Sequence, residues 1–331
     1  MKAMLVDENR HLVWSDVDDP VMKEDELLVD IRATALNRAD LLQRQGKYPS
    51  PPGCPPWMGL EVSGSVRDIG PVAAGESGWK VGDRICALLG GGGYAERVAV
   101  RHDMAMPIPD GLSMEEAAAL PEAAATSYLN LFIEGHLKEG DTAYIAAGAS
   151  GLAGIGIPMA RALGVRVVTS VLSDEIAESI GHLNADIVVN TSREKLADVA
   201  ERLEKEGRPI NAAMDCLSGD MLGETLPFMA RGGYWIVIST LAGTATNVSL
   251  RPLLTKGLHL VGSMLRNRTP DMKARILREL VERVWPHIES GTIRPSIHRT
   301  LPIEEAEEAH GILERNENVG KVVLTVGMEK A

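Results

Sequence analysis

A glycine-rich turn in the middle of the chain has the residue types that bind phosphate. Residues 148–154 read Gly-Ala-Ser-Gly-Leu-Ala-Gly and lie between an apolar run at 142–146 and a helical pattern. Glycines at such a turn let backbone N–H groups approach a pyrophosphate at the positive end of a helix. The spacing is not a strict GxGxxG, because Ser150 and Ala153 stand at its second and third glycine positions. A tightly packed strand-to-helix turn is the alternative.

Three side chains are candidates for stabilising negative charge on a substrate oxygen. Asn37 and Tyr48 precede a segment, 49–56, that contains five prolines and is therefore a rigid loop, expected beside a cleft. Amide and phenol groups can donate to a carbonyl oxygen as charge builds on it. The alternatives are that Asn37 satisfies loop backbone groups and that Tyr48 only packs the cleft wall. Arg266 is expected to bind substrate or cofactor, or to form a surface ion pair.

Elements of two kinds must position these residues. The first hundred residues alternate short β-branched runs with turns, which predicts a mostly antiparallel β domain. A helix is predicted over 114–132, with Ser113 as N-cap and Glu116 three residues later. The glycine run 90–93 joins two β runs, so a flexible turn is favoured over a phosphate site. The predicted N-terminal strands are 12–14, 27–33, 62–68, 84–88 and 95–100.

Strand and helix patterns alternate through the rest of the chain up to about residue 263. This alternation predicts an α/β fold with a doubly wound parallel sheet. The predicted strands are 142–146, 165–170, 187–189, 211–215, 234–238 and 259–261, and the predicted helices are 151–163, 173–182, 192–206 and 220–229. A helix over 271–289, a helix over 303–315 and a strand over 321–326 follow. We expect this tail to return to the β domain.

Composition excludes several classes of protein. The chain has 331 residues, more than the roughly 250 that a single core accommodates, so two domains are expected. A net charge of −12 argues against nucleic acid and membrane partners. Three cysteines without a CxxC pair, and no long apolar run, predict a cytoplasmic protein without disulfides or a metal site. His298 and His310 lack ligand partners at metal spacing, and we expect them to be solvated or to cap helices.

Residues 37–48, Asn-Arg-Ala-Asp-Leu-Leu-Gln-Arg-Gln-Gly-Lys-Tyr, carry a resemblance that spans nearly the whole chain. Further matching stretches are 59–64, 80–84, 120–123 and 318–321. The sequence resembles the zinc-independent quinone oxidoreductase branch, of the zeta-crystallin type, in the medium-chain dehydrogenase/reductase superfamily. The resemblance implies a GroES-like β-rich catalytic domain at 1–117, a Rossmann domain at 118–263, and residues 264–331 completing the catalytic domain.

The resemblance also implies a site, a cofactor and an assembly. It implies NADPH-dependent reduction of a small quinone or similar carbonyl, in a homodimer or dimer of dimers formed through the last Rossmann strand. Zinc-dependent members carry Cys at the position of Asn37 and Gly-His-Glu at the position of 59–61, so no metal is expected. The implied cofactor contacts are Asn37, Thr126, Gly148, Ser150, Gly151, Leu152, Ser170, Ser239, Leu265 and Asn318.

The cofactor's 2'-phosphate is where this chain departs from that family. The Lys expected after the second Rossmann strand is replaced by Asp174 or Glu175, which could equally cap the next helix. Arg193 or Arg315 are possible substitutes as phosphate partners. The resemblance leads us to expect NADPH, and NADH is also possible because this Lys is missing. Two other functions stay open: reduction of a conjugated enone or enoyl thioester, and a non-catalytic NADPH-binding sensor or structural protein.

Overall fold

The computed structural model describes residues 1–327, which divide into two compact units. The first unit comprises Met1–Ala123, Arg266–Ser290 and the residues from Pro295 onwards. The second comprises Ala124–Leu265 and Gly291–Arg294. Across residues 1–327, no helix is both long and apolar enough to cross a membrane.

The first unit is built on a seven-stranded sheet and a separate two-stranded pair. The strands are β1 (Lys2–Val6), β2 (Leu12–Asp16), β3 (Glu26–Ala35), β4 (Glu61–Ile69), β5 (Arg84–Leu88), β6 (Arg97–Arg101), β7 (Ala105–Pro107), β14 (Ile297–Pro302) and β15 (Lys321–Thr325). The large sheet has the order β14-β15-β3-β4-β5-β7, with β6 also paired to β3. All of its pairs are antiparallel except β14 with β15. The antiparallel pair of β1 and β2 stands apart from it.

The second unit contains a six-stranded parallel sheet. The strands are β8 (Thr142–Ile145), β9 (Arg166–Val171), β10 (Ile187–Asn190), β11 (Ala212–Asp215), β12 (Tyr234–Val237) and β13 (His259–Gly262). Their order is β10-β9-β8-β11-β12-β13. Numbered within the sheet, this is the order 3-2-1-4-5-6 of a doubly wound nucleotide-binding fold. Buried Tyr144, Val168 and Trp235 pack in its core against the helix that follows β10.

Twelve α-helices occur among the described residues. They are α1 (Arg38–Arg44), α2 (Pro71–Glu76), α3 (Met114–Ala118), α4 (Pro121–Tyr128), α5 (Ala153–Ala162), α6 (Asp174–Ser179), α7 (Leu196–Lys205), α8 (Asp220–Thr225), α9 (Leu250–Lys256), α10 (Pro270–Arg283), α11 (Trp285–Glu289) and α12 (Ala306–Glu314). A π-helix, Leu129–Glu134, continues directly from α4.

The expected fold class is confirmed, but prolines divide two of the predicted helices. The capping box of Ser113 and Glu116 forms as expected, yet α3 ends at Ala118 and Pro121 begins a new helix. The tail helix likewise ends at Arg283, ahead of Pro286 at the start of α11. Proline fixes φ and lacks an N–H, so it starts a helix more readily than it continues one. The sequence patterns did not predict helix α1, which lies inside the segment 37–48 that carries the family resemblance.

The glycine run 90–93 lies in the connection between β5 and β6, as expected, and it packs closely on neighbouring backbone. Gly91, Gly92 and Gly93 are buried, and Gly92 lies against Pro55 of the proline-rich loop. Gly59 has a φ of +102°, and a Cβ there would lie 2.5 Å from the Cα of Gly93. These glycines are needed because two backbone segments touch without room for a side chain.

We predict that Gly59→Ala destabilises the protein much more than Gly53→Ala. Gly53 also has a positive φ, of +85°, but a Cβ there would meet nothing within 4 Å. Left-handed strain alone should cost about 1–2 kcal/mol in Gly53→Ala. Gly59→Ala should lose about 1–3 kcal/mol more, because the added methyl group overpacks against backbone. Urea unfolding followed by circular dichroism measures both, and equal losses would contradict the close approach.

Candidate active site

Asn37 lies just beyond the end of the central strand β3, as the N-cap of α1. Its side-chain Oδ1 accepts a hydrogen bond from Lys321 Nζ at 2.7 Å. Its Nδ2 donates to Glu61 Oε1 at 3.0 Å and to the carbonyl of Ala35 at 3.3 Å. Both amide hydrogens of Asn37 are therefore engaged within the protein. This geometry favours an anchoring role for Asn37 over donation to a substrate.

The pairing of the strands explains why Glu61 and Lys321 meet there. Glu61 begins β4 and Lys321 begins β15, and both strands run antiparallel to β3 on its two sides. Their first residues therefore flank the end of β3. Glu61 is fully buried and Lys321 is 5% exposed, and the two form an ion pair.

Every polar atom of this ion pair has a partner. Lys321 Nζ also donates to the carbonyl of Leu36, at 3.3 Å, besides its bond to Asn37. Glu61 Oε2 accepts from the backbone N–H of Glu122 at 2.8 Å. A buried charge pair is tolerated only when its remaining donors and acceptors are satisfied, and this one meets that condition. We refer to the buried pair Glu61 and Lys321, together with the partly exposed Asn37, as the buried triad.

Tyr48 and Arg266 form a second group in the first unit. The Arg266 guanidinium carbon lies 4.7 Å from the centre of the Tyr48 ring, a cation–π contact. Burial raises the pKa of the Tyr48 phenol, and the positive charge of Arg266 opposes that rise. At neutral pH the half-buried phenol is therefore protonated and can donate a hydrogen bond.

Arg266 is 7% exposed, so the surface ion pair considered from the sequence is wrong. Its guanidinium donates to the carbonyls of Gly90, at 2.8 Å, and Tyr48, at 3.3 Å. It also donates to Gln43 Oε1 at 2.9 Å and Ser50 Oγ at 3.5 Å. Arg266 thus fastens the segment around Tyr48 to the glycine loop.

The glycine-rich turn of the second unit joins β8 to α5. A Cβ at Gly148 would lie 2.7 Å from Thr169 Oγ1, so the turn packs closely on β9, as the alternative interpretation required. Residues 149–152 are nevertheless half-exposed, ahead of the first turn of α5. Ser150 Oγ accepts the N–H of Ala153, the first residue of α5, at 3.1 Å. The half-exposed turn before α5 is where a pyrophosphate could accept from backbone N–H groups.

Charged side chains gather at the end of β9, where a Rossmann fold reads the adenosine ribose. Asp174 opens α6, and its carboxylate accepts from Asn190 Nδ2 at 2.6 Å and forms an ion pair with Arg193. Ser173 caps the helix through the N–H of Ile176. Arg193 is thus held by a carboxylate of its own unit.

The remaining expected cofactor residues occupy varied environments in the second unit. Ser170 is 2% exposed, and its hydroxyl bonds to that of Tyr144 at 2.7 Å, so its side chain is committed to the core. Thr126 is half-buried, and its carbonyl accepts from Asn130. Leu265 is buried.

Three more of these residues make hydrogen bonds or ion pairs within their own unit. The carbonyl of Ser239, in the second unit, accepts from Ser218 Oγ at 3.0 Å. In the first unit, Asn318 Nδ2 donates to the carbonyl of Gly320. Arg315 forms ion pairs with Glu308 and Glu317, so two carboxylates already hold the second candidate phosphate partner.

Sequence reasoning gave no role to Glu61, Lys321 or Asp40. A signal was present for the first two, because each is a charged residue at the edge of an apolar strand. His310, expected to be solvated or to cap a helix, is fully buried beside Tyr94, and that expectation was wrong. Among residues 1–327, no cluster of three or more His, Cys, Asp or Glu side chains could hold a metal ion.

Two protein-family models match the chain. The model described as "Alcohol dehydrogenase GroES-like domain" matches residues 23–110, and the one described as "Zinc-binding dehydrogenase" matches residues 183–324. Quinone oxidoreductase-like protein 2 of Bos taurus is 29% identical over 326 residues, covering 98% of this chain and 92% of that protein. Quinone oxidoreductase of Pseudomonas aeruginosa is 29% identical over 300 residues, covering 90% of each.

A solved structure agrees with these relatives. The quinone oxidoreductase of Thermus thermophilus, whose complex with NADPH was also solved, is 29% identical. It superposes with a TM-score of 0.80 and covers 98% of this chain and 100% of its own. With the sheet order and the matched sequences in agreement, the chain belongs to the quinone oxidoreductase branch of the medium-chain dehydrogenase/reductase superfamily.

Proposed function

We propose that this oxidoreductase transfers hydride from a reduced nicotinamide dinucleotide to a small quinone, without zinc. The observation that carries the proposal is the buried triad. In it the Lys321 ammonium bonds to both Asn37 Oδ1 and Glu61 Oε1, at the position where the family's zinc-dependent members have metal-binding residues. Leu60, between Gly59 and Glu61, is a buried apolar residue. This donor set does not fit zinc.

The chemistry requires little of the protein beyond orientation and charge stabilisation. A bound dihydronicotinamide supplies the hydride. Tyr48 donates a hydrogen bond to the substrate oxygen on which charge builds, because its phenol is protonated and its ring is fixed by Arg266. Asn37 anchors the start of α1, and Arg266 holds the Tyr48 backbone and the glycine loop together.

The charges at the end of β9 favour NADH at least as strongly as NADPH. Asp174 and Glu175 place two carboxylates there against the single guanidinium of Arg193, which is already paired. A 2'-phosphate would meet net repulsion, whereas a free 2'-hydroxyl can donate to a carboxylate. The NADPH complex of the Thermus thermophilus relative supports a preference for NADPH. Our proposal rests instead on Asp174, Glu175 and Arg193 of this chain.

The open edge of the parallel sheet supports a homodimer. Strand β13 is hydrogen-bonded to β12 on one side, and its Leu260 is 46% exposed. Leu254 of α9 and Met264, just after β13, are also exposed, at 84% and 43%. Such an edge, lined by apolar side chains, suits pairing with a second copy. A dimer of dimers would need a further surface.

The proposed donor role of Tyr48 can be tested by removing its hydroxyl. Tyr48→Phe should lower kcat for quinones by about 10²-fold with little change in KM, because it removes a donor that acts on the transition state. The assay follows oxidation of NADH or NADPH with a panel of quinones, an enone and a crotonyl thioester. It tests both the role of Tyr48 and the class of substrate. Tyr234→Phe, in the second unit, is the matched control. Turnover of thioesters alone would replace quinones as substrate, and tight cofactor binding without turnover would favour a sensor.

The choice between NADH and NADPH can be tested at Asp174. The wild-type Kd for NADH should be no larger than that for NADPH, and Asp174→Ser should improve NADPH binding about tenfold, equivalent to about 1.4 kcal/mol. The physical reason is that the substitution removes one carboxylate and releases Arg193. Fluorescence titration measures both constants, with Glu178→Ser on the same helix as control. An unchanged NADPH-to-NADH ratio in Asp174→Ser would count against this interpretation.

Assembly through β13 can be tested at Leu260. Leu260→Lys should convert a dimer to monomers in light scattering coupled to size exclusion, because it places a charge on the open edge. Val81→Lys, at a residue 66% exposed in the first unit, should leave the dimer intact. A wild-type monomer would refute assembly through β13.

A further inference from the structure

The first turn of α1 contains a buried carboxylate, that of Asp40, which has no role in the proposed chemistry. Asp40 is 1% exposed. Its Oδ2 accepts the backbone N–H of Asn37 at 2.8 Å and the hydroxyl of Tyr94 at 3.3 Å. Its Oδ1 accepts the backbone N–H of Gly59 at 3.2 Å. One carboxylate thus fastens the backbone of two residues, Asn37 and Gly59, on either side of the proline-rich loop.

Two further buried side chains extend this contact away from α1. Tyr94 and His310 are both fully buried, with Tyr94 Oη 3.3 Å from His310 Nε2 and the two rings edge-on at 5.9 Å. The other ring nitrogen of His310, Nδ1, is buried without a hydrogen-bond partner among the described residues. We call Asp40, Tyr94 and His310 the buried relay.

The single phenol hydrogen allows two arrangements of the relay. When Asp40 is ionised, Tyr94 donates to Asp40 and accepts from His310 Nε2–H. When Asp40 is protonated, it can donate to Tyr94, which then donates to a His310 tautomer whose Nε2 is unprotonated. In the second arrangement Asp40 no longer offers three full acceptor positions to Asn37, Gly59 and Tyr94.

Charged groups face the relay from several elements. Lys321 of β15 favours the ionised form of Asp40, and Glu61 of β4 opposes it. Burial is the largest influence and raises the pKa of Asp40 to about 6, while the hydrogen bonds from Asn37 and Gly59 act against that rise. At the far end, burial lowers the pKa of His310 to about 3, with Arg44 lowering it further and Glu307 opposing. His310 is therefore neutral in both arrangements.

We propose that Asp40 is a positioning residue whose ionised carboxylate holds Asn37 and Gly59 in place for catalysis, with Tyr94 and His310 adjusting when it takes up a proton. The inference rests on the proposed function, because Asn37 begins the helix that leads to Tyr48. Loss of the Asp40 contacts loosens the segment that carries the proposed donor. Asp40 itself touches neither substrate nor cofactor.

Activity and stability should respond to pH in opposite directions. Activity rises as Asp40 ionises, through about pH 6. Stability behaves differently, because the folded-state pKa lies above the ordinary Asp value of 3.8, so the unfolded chain ionises more readily. The free energy of unfolding should therefore fall between about pH 4 and pH 6 and then level off. A residue that only supported the fold would move both quantities the same way.

The experiment measures kcat/KM with a quinone from pH 5 to 8.5, and urea unfolding from pH 4 to 8, for the wild type, Asp40→Asn and Tyr94→Phe. The wild type should show an activity inflection near 6, and Asp40→Asn should lose it together with the stability slope. Tyr94→Phe should keep an inflection but move it to higher pH, since it removes a donor to the ionised carboxylate. The matched control is Asp198→Asn, at an exposed residue of α7, which should behave as the wild type.

Each outcome bears on one proposal or the other. An activity inflection and stability slope that persist in Asp40→Asn would overturn the inference. If Asp40→Asn does not fold, an unmoved inflection in Tyr94→Phe would overturn it instead. If the wild type turns over no quinone at any pH, the proposed function fails. A stability slope that Tyr94→Phe shifts and Asp40→Asn abolishes would then still support the buried relay.

Discussion

The buried ion pair of Glu61 and Lys321 is the constraint on which the first unit's site depends. Placing both charges out of water costs several kcal/mol per ion, and their attraction offsets this only when every other donor and acceptor is satisfied. Satisfaction requires Asn37, Leu36 and Glu122 at fixed positions around the pair. The charges therefore specify where β3 ends and where α1 begins. Removing either partner would leave an uncompensated buried charge.

Close backbone contact is the second constraint, and it acts on the loops around Tyr48. The glycine loop packs against the proline-rich loop because its residues have no side chains to keep them apart. Arg266 then donates to carbonyls of both the Tyr48 segment and Gly90. The backbone around Tyr48 is irregular, yet it is held in one conformation. The rigid proline-rich loop, the close-packed glycine loop and the Arg266 guanidinium together fix it. Irregular backbone of this kind suits a site that must orient a substrate.

The second unit depends on a simpler rule. Parallel strands with β8 at the centre place the turn after β8 and the end of β9 on the same edge of the sheet. The charge at the end of β9 is particular to this chain. Asp174 stands where the family resemblance implies a Lys, and it forms an ion pair with Arg193. At its edge the same sheet has no buried residue in β13, where Leu260 is 46% exposed.

Patterns in the sequence determined the fold class, the parallel strands, the capping box at Ser113 and the glycine-rich turn. All of these arise from interactions between near neighbours along the chain, so periodicity and local residue type reveal them. The family-like segment 37–48 also directed attention to Asn37 and Tyr48. The helix breaks ahead of Pro121 and Pro286 could have been predicted from the same local rules.

Tertiary structure alone decided what those side chains do. Lys321 meets Glu61 across 260 residues of sequence, and His310 meets Tyr94 across 216, so no local pattern connects them. That Asn37 has both amide hydrogens engaged, and that Arg266 is buried on carbonyl groups, follows from strand pairing and loop packing. Burial sets the protonation of Asp40 and His310, because the cost of removing a charge from water depends on surroundings that only the folded chain supplies.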